Sequence, residues 1–463
     1  MKNRYTPFIN ECMVLISFLL IWGCDDFVEV DLPTSQLTRE AIFADPASAR
    51  AAIGNVYAEL RDNVLVTGSI NGIGVLLGLY ADELEFYGNT TLAGFEFYNH
   101  TLLSTDSNIA QLWNNAYQAI YAVNSVYKRV GESQTLSVSD KEQFQGEALF
   151  LRAYLHFHLT QLFGDIPYVT STDYAENSRV PKVTREFVLT EIVEDLKMAK
   201  QFLHDKESLS DRTQVDIGAV SAFLARCYLY RGEWELSVNE SSEVIGNTAH
   251  YVWEQDLDKV FLKESTATIW QLAPQINGNS TNEASSYVFS SGPPPNMALS
   301  GNLVHSFEEG DLRREQWIGT VTNWVETWYH AYKYKQNIHL DNSTEYSILF
   351  RLAEQYLIRA EAKAYLNDLE GAKRDLNKIR ERAQLPKITA IDQEEVLDAI
   401  LKERQMELFT EQGHRWFDLV RYGRADTVLS LIKTAWKTTD VLLPLPEAEL
   451  LLNPNLNPQN NGY

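Results

Sequence analysis

Apolar residues recur every three or four positions along much of this chain, the spacing that gathers them on one side of an α-helix. Val220, Phe223, Leu224, Cys227 and Tyr228 make one such face, which predicts a helix over 215–231. Gly232 follows, and a residue without Cβ ends a helix by entering the left-handed conformation at little steric cost. The periodicity resumes over 234–245, after a gap too short for anything but an antiparallel hairpin. A second pair, 355–366 and 370–383, repeats the design. Superimposing the pairs sets Ala225, Tyr228 and Leu229 on Ala362, Tyr365 and Leu366. A small residue followed by large ones on one face lets helices approach closely and interlock, as in degenerate tetratricopeptide-type hairpins. Further helices are expected over 47–61, 109–130, 141–163, 185–202 and 393–410. The fold class that follows is all-α: tetratricopeptide-like helical hairpins forming a curved scaffold, capped by long irregular loops.

The interruptions differ in kind. Residues 63–105 are rich in Gly, Asn, Thr and aromatics, and 277–300 are rich in Asn and Ser and close on Pro293-Pro294-Pro295. Residues 311–346 are crowded with Trp and Tyr, and beyond Asp426 the pattern is mostly irregular. Long loops on a rigid scaffold are usually functional or disordered, and aromatic content argues against disorder.

The N-terminus reads as a leader. Lys2 and Arg4 precede an uncharged, mostly apolar run from Met13 to Trp22. At about ten residues that run suits a signal-peptide core and falls short of the roughly 20 needed to span a bilayer. Ile21-Trp22-Gly23-Cys24 then resembles the bacterial lipobox, although Trp22 is bulky and Glu11 places an acid before the run. The resemblance implies that Cys24 becomes the first mature residue and carries the lipid; an ordinary secretory signal is the plainer alternative. The expected organisation is a leader over 1–23 and a single domain over 24–463, with loop insertions near 63–105 and 250–346.

Cysteine usage agrees with this. Only Cys12, Cys24 and Cys227 are present. Cys12 leaves with the leader, Cys24 is alkylated, and Cys227 sits on an apolar stripe as a small buried hydrophobe. With no disulfide, the chain must be held by its own core. The net charge is −23, and losing Lys2, Arg4 and Glu11 makes it slightly more negative. That field repels nucleic acid and anionic polysaccharide and suits neutral or cationic ligands.

Four segments together resemble the SusD/RagB family of Bacteroidetes outer-membrane lipoproteins. Glu147 to Tyr154 (EALFLRAY) with Leu162 to Pro167 (LFGDIP) is the first, and Tyr356 to Ala362 (YLIRAEA) the second. Glu403 to Leu408 (ERQMEL) with Gly413 to Arg421 (GHRWFDLVR) is the third. The last is Leu443 to Leu450 (LPLPEAEL), leading to Asn453-Pro454 and Gln459 to Tyr463, with Asn461 where the family usually has proline. The resemblance implies a helical repeat scaffold on the outer membrane. It would capture nutrient oligomers, neutral oligosaccharides first and oligopeptides as the alternative, for a SusC-like TonB-dependent transporter. It also makes Asp25-Asp26 look like the surface-export signal of that phylum's lipoproteins.

Within these motifs Arg152, Arg359, Glu361, Glu403, Arg404, Glu407, Arg415 and Asp418 lie in or beside apolar helical stretches. An unpaired buried ion costs several kcal/mol, so they are expected to form ion pairs that lock the repeats together. The competing reading is a glycoside hydrolase using Glu403 and Glu407, which share a helical face. Retaining enzymes hold their carboxyl groups ~5–5.5 Å apart, but across a sugar in a cleft. Neighbours on one helix beside Arg404 and Arg415 fit a salt-bridge network better. His156 and His158 are roughly 200° apart around a helix and cannot chelate one ion together. There is no His-Glu-x-x-His, Gly-x-Ser-x-Gly, phosphate-binding glycine loop or Cys-x-x-Cys. The expectation is a binding protein with no catalytic residue, cofactor or metal.

Neutral sugars present an apolar CH face ringed by hydroxyls, so their sites want exposed aromatic rings flanked by amides and carboxylates. Two loops supply them: Phe86-Tyr87-Gly88-Asn89 continuing to Phe95-Glu96-Phe97-Tyr98-Asn99, and Trp317, Trp324, Trp328 and Tyr329 with Asn323 and Glu326 beside them. In glycan-binding relatives the platform comes from loops grafted on the scaffold, and the first loop lies in the comparable stretch. The candidate ligand-binding residues are therefore Tyr87, Asn89, Phe97, Tyr98, Trp317, Trp324 and Trp328. The plainer alternative is that these aromatics pack an irregular segment onto the helices, as expected for Trp113, Trp234 and Trp416, which lie in helical motifs.

Overall fold

The computed structural model describes residue 43 and residues 45–463, apart from 207–208. The leader and Cys24, the expected lipid-bearing residue, lie outside the described residues. No described helix is long and apolar enough to cross a membrane.

Helices dominate, and every helix expected from the apolar period is present, with further ones at Ile73–Tyr80, Ala93–Asn99 and His414–Arg421 that the period did not mark. Helix α1 (Pro46–Asp62) starts where the Asp45 side chain accepts from the Ala47 and Ser48 amides and Pro46 supplies a pre-set φ. Helix α2 is Ile73–Tyr80, followed by strand β1 (Leu84–Phe86) and α3 (Ala93–Asn99). The long pair α4 (Ser107–Glu132) and α5 (Val138–Phe163) comes next, then α6 (Arg185–Phe202). The first hairpin of the sequence pattern is α7 (Ile217–Arg231) and α8 (Trp234–Gly246). The second is α9 (Leu352–Tyr365) and α10 (Leu369–Arg382), followed by α11 (Gln393–Leu408) and α12 (His414–Arg421). Gly232 closes α7 at φ +73°, while the equivalent turn after α9 uses Asn367 at φ +63°. Asn tolerates the left-handed region better than most residues, so the same turn is made without glycine.

Successive helices pack as neighbours: α4 on α5, α5 on α6, α7 on α8, α8 on α9 and α9 on α10. Helix α5 is buried all round from Gly146 to Phe163 and forms the centre of the main core. The aligned positions of the two hairpins meet directly, since Ala225 and Leu229 share a buried cluster with Ile358 and Ala362. The equivalence is incomplete at the aromatic position. Tyr228 is buried, but Tyr365 is half-exposed and stacks on Trp234 with ring centroids 4.1 Å apart. Trp234 is thus a half-buried clasp between α8 and α9 and not the core residue its motif suggested. Trp113 and Trp416 are buried as expected.

Two stretches expected to be irregular are ordered differently. Ile73–Tyr80 is a fully buried helix inside 63–105. An apolar run without polar breaks has no 3.6-residue period to read, because all its sides meet protein. The second insertion holds strands. Met297–Leu299 (β3) pairs antiparallel with β1, setting Leu84 opposite Leu299 and Phe86 opposite Met297. Ile318–Thr322 (β4) and Thr327–Ala331 (β5) form a hairpin, and Thr268–Leu272 (β2) pairs with Ser347–Arg351 (β6). The β1–β3 ladder joins the two insertions to each other, and β6 runs directly into α9.

Candidate functional site

The two aromatic loops that the sequence singles out are brought together. The β1–β3 ladder continues past its last pair, as the Tyr87 and Gly88 amides both donate to the Asn296 carbonyl (2.7 and 2.9 Å). Strand β3 packs beside β5 of the hairpin. Tyr87, at the end of β1, therefore sits close enough to Trp328 and Glu326 to interact with both. Tyr87 is 40 % exposed and its hydroxyl donates to Glu85 (3.3 Å). Partial burial, and then the Glu85 carboxylate, raise its pKa and keep the phenol neutral.

Trp328 is only 5 % exposed. It forms a small cluster with Phe289, Ala298 and Val321, separate from the main core. Its ring packs against Gly292, where a Cβ would approach it to 2.0 Å, so only glycine leaves room for the indole. The hairpin tip is a built turn: Asn323 Oδ1 accepts from the Val325 and Glu326 amides, both at 2.7 Å. It presents Trp324 wholly to solvent. Asn89 is exposed, with its side-chain oxygen accepting from the Thr91 amide (3.0 Å).

The other expected platforms are placed differently. Phe97 is buried against Tyr80, with centroids 5.7 Å apart. Trp317 is also buried, edge-on to Phe261, its indole nitrogen donating to the Leu257 carbonyl (3.1 Å). Both are core residues, because the segments carrying them fold back onto the scaffold and their large apolar areas are what anchors them. Trp328 presents no open face. Tyr98 is half-buried and one face is covered by Lys433, whose ammonium lies 3.8 Å from the ring centroid. Lys433 donates to the Leu79 carbonyl (2.6 Å), and burial pulls its pKa down to about 8 against the pull of Asp82 and Glu85. Sequence reasoning missed Lys433, Phe289 and Gly292. The signal available was Gly292 next to Pro293-Pro294-Pro295, which fixes a tight bend but does not name the ring that fills it.

The eight charged residues singled out in the family motifs are all paired. Glu407 meets Arg313 (3.1 Å), Arg351 (2.5 Å) and Arg382. Glu403 meets Arg313 (2.7 Å) and Arg380 (3.1 Å). Arg404 pairs with Asp418, Arg421 with Glu361 and Asp418, Arg415 with Asp82, Arg359 with Asp375 and Arg152 with Asp195. Glu403 and Glu407 are both buried and share one guanidinium nitrogen, leaving no cleft in which a sugar could lie between them. The surrounding arginines hold the Glu407 carboxyl well below its ordinary range despite full burial. His156 and His158 are buried too; each ring nitrogen Nδ1 bonds a carbonyl one turn back, and burial lowers both to about 3. They are neutral packing residues. Among the described residues no group of His, Cys, Asp and Glu could hold a metal ion.

Comparison with known proteins agrees with this architecture. Residues 296–463 match the family model described as "SusD family", and 83–229 match one described as "Starch-binding associating with outer membrane". SusD-like protein P2 of Formosa agariphila is 28 % identical, over 97 % of this chain and 98 % of its own. A SusD superfamily protein from Bacteroides vulgatus superposes with a TM-score of 0.78 at 21 % identity, covering 91 % of this chain and all of that one. A laminarin-binding SusD-like protein superposes at 0.76 with 24 % identity, over 90 % and 99 %. Two family models in succession, relatives along nearly the whole length and a shared helical scaffold agree: this chain belongs to the SusD/RagB family.

Proposed function

We propose that this chain is a non-enzymatic surface binding protein that captures neutral oligosaccharides and passes them to a SusC-like TonB-dependent transporter. The observation that carries the reading is the convergence of Tyr87, Trp328 and Glu326 from segments far apart in sequence, beside the exposed Asn89 and Trp324. A half-exposed tyrosine ring, a free tryptophan on a stiff turn and flanking amide and carboxylate groups suit a sugar's apolar face and its hydroxyls. The starch-binding description of the family model and the laminarin bound by a structural relative support a glycan over a peptide. Stacking on one or two exposed rings gives modest affinity, which suits a protein that must release its cargo.

Calorimetry with starch-derived and laminarin-derived oligosaccharides, beside an oligopeptide library, tests the reading. Saturable binding of a neutral glycan, weakened by Tyr87→Ala without hydrolysis products, is expected. Binding confined to peptides, or turnover of the glycan, would overturn it. The anchor belongs to the same proposal: Cys24→Ala should move the protein from the membrane fraction to the soluble one. Protease treatment of intact cells tests the surface placement expected from Asp25-Asp26, and protection of the wild type would count against it.

A further inference from the structure

Away from the aromatic loops, a trench of about 410 Å³ lies between α1 and α4. It exists because the facing positions are small: Val56 on α1 meets Ala119 and Ala122 on α4, and no long side chain fills the space between the two axes. Its walls are polar and almost uncharged. Asn55 and Glu59 project from α1, Asn63 from its end, and Asn115 and Gln118 from α4. No lysine or arginine lines it.

Two of these amides are already oriented. Asn63 Nδ2 donates to Glu59 (2.8 Å), and Asn115 Nδ2 donates to the Asn63 carbonyl (2.9 Å). Their side-chain oxygens are left as acceptors. The side-chain amides of Asn55 and Gln118 have no hydrogen-bond partner among the described residues, so each offers donors and an acceptor. Acceptors on a fixed frame, adaptable amides above and an apolar alanine floor match the vicinal hydroxyls and CH face of a sugar. The single carboxylate, Glu59, repels sulfated or uronic chains.

The trench also has a direction. A narrower cleft shares Asn63 and Asn115 and continues past Asn71 and Asn108 to Ala93, the first residue of α3. The loop entering α3 is the one that carries Tyr87 and Asn89. Amide side chains therefore line a cleft that runs from the α1–α4 trench toward the start of α3, four residues beyond Asn89 in the chain.

We infer that this trench is a second glycan subsite, holding a distal stretch of an extended, neutral polysaccharide whose other part rests on the Tyr87 loop. The inference rests on the glycan-binding reading above and adds that recognition depends on chain length. The aromatic site takes short oligosaccharides alone. Longer chains gain the trench and bind more tightly.

The test is calorimetry of the full chain with neutral starch-derived and laminarin-derived oligosaccharides of graded length. Two variants probe the trench: Asn55→Ala with Gln118→Ala, which removes exposed amides, and Ala122→Trp, which fills the space. Thermal melts establish that both are folded. Wild-type affinity should rise with length, and both variants should lose that rise, about tenfold for the longest chains if two hydrogen bonds are lost. Their affinity for the shortest bound oligosaccharide should stay unchanged, whereas Tyr87→Ala weakens every length. If folded trench variants bind long chains as tightly as wild type while Tyr87→Ala does not, the second subsite is refuted and the function stands. If wild type binds no neutral glycan of any length, both fall together.

Discussion

Arg351 Nη1 lies 2.5 Å from the Glu407 carboxylate, joining the strand that precedes α9 to the last turn of α11 with both side chains buried. Arg313 and Arg382 converge on the same carboxylate, so one acid cross-links four separate segments. Such a hub is expensive to desolvate, and removing its centre strips Arg382 of its carboxylate partner, while Arg313 keeps Asp311 and Glu403 and Arg351 keeps Glu411. Glu407→Gln should therefore destabilise the fold by about 3–5 kcal/mol. Chemical denaturation measures this, and a variant as stable as wild type would show that the pairs offset only their own burial.

The pH dependence has a separate source in Glu83. Its carboxyl is buried, accepts only weak contacts from the Thr410 amide (3.3 and 3.4 Å) and lies beside Asp82. Burial first, then Asp82, raise it to about 8, against Arg415, the Thr410 amide and Lys333. A raised carboxyl contributes stability fully below its unfolded value near 4.5 and loses that contribution as pH rises through about 8. Glu83→Gln should flatten the fall of the urea midpoint between those limits and leave the variant more stable at pH 8. A variant that tracks wild type across this window would mean that Glu83 is charged in the fold.

Cys227 is fully buried on α7, and burial pushes its thiol well above the ordinary range. Since the thiolate is the reactive form, alkylating reagents should leave it untouched in native protein and modify it at the rate of unfolding. Mass spectrometry after timed iodoacetamide exposure, with and without urea, is the measurement. Rapid labelling without denaturant would place the residue at an accessible position.

Exposed and buried aromatics should separate cleanly by their effects. Tyr87→Ala and Trp324→Ala should weaken glycan binding and shift the melting temperature little. Trp317→Ala removes a buried indole and its bond to Leu257, and should cost about 3–5 kcal/mol in stability. Gly292→Ala is the discriminating case. The added methyl must displace the Trp328 ring, so binding should change because the hairpin moves beside Tyr87.

The scaffold was legible because helices announce themselves through a 3.6-residue period and local caps. The hairpins at Gly232 and Asn367, the pairing of the eight buried or half-buried motif charges and the burial of Cys227 all follow from rules that act within a few residues or forbid unpaired buried ions. Helix α2 escaped because a segment covered on every side has no polar face to set its period. The strands escaped because three- to five-residue runs are too short to distinguish from loop.

For the candidate site, the sequence by itself determined which residue types were available and in which two loops. Which rings face solvent was decided only by tertiary structure. Trp317 and Trp324 are seven positions apart and chemically identical, yet one is sealed beneath Phe261 and the other stands free on a hairpin tip. Exposure is a property of what packs on top. For these loops that depends on long-range pairings, β1 with β3 and β3 beside β5, and no local pattern encodes them.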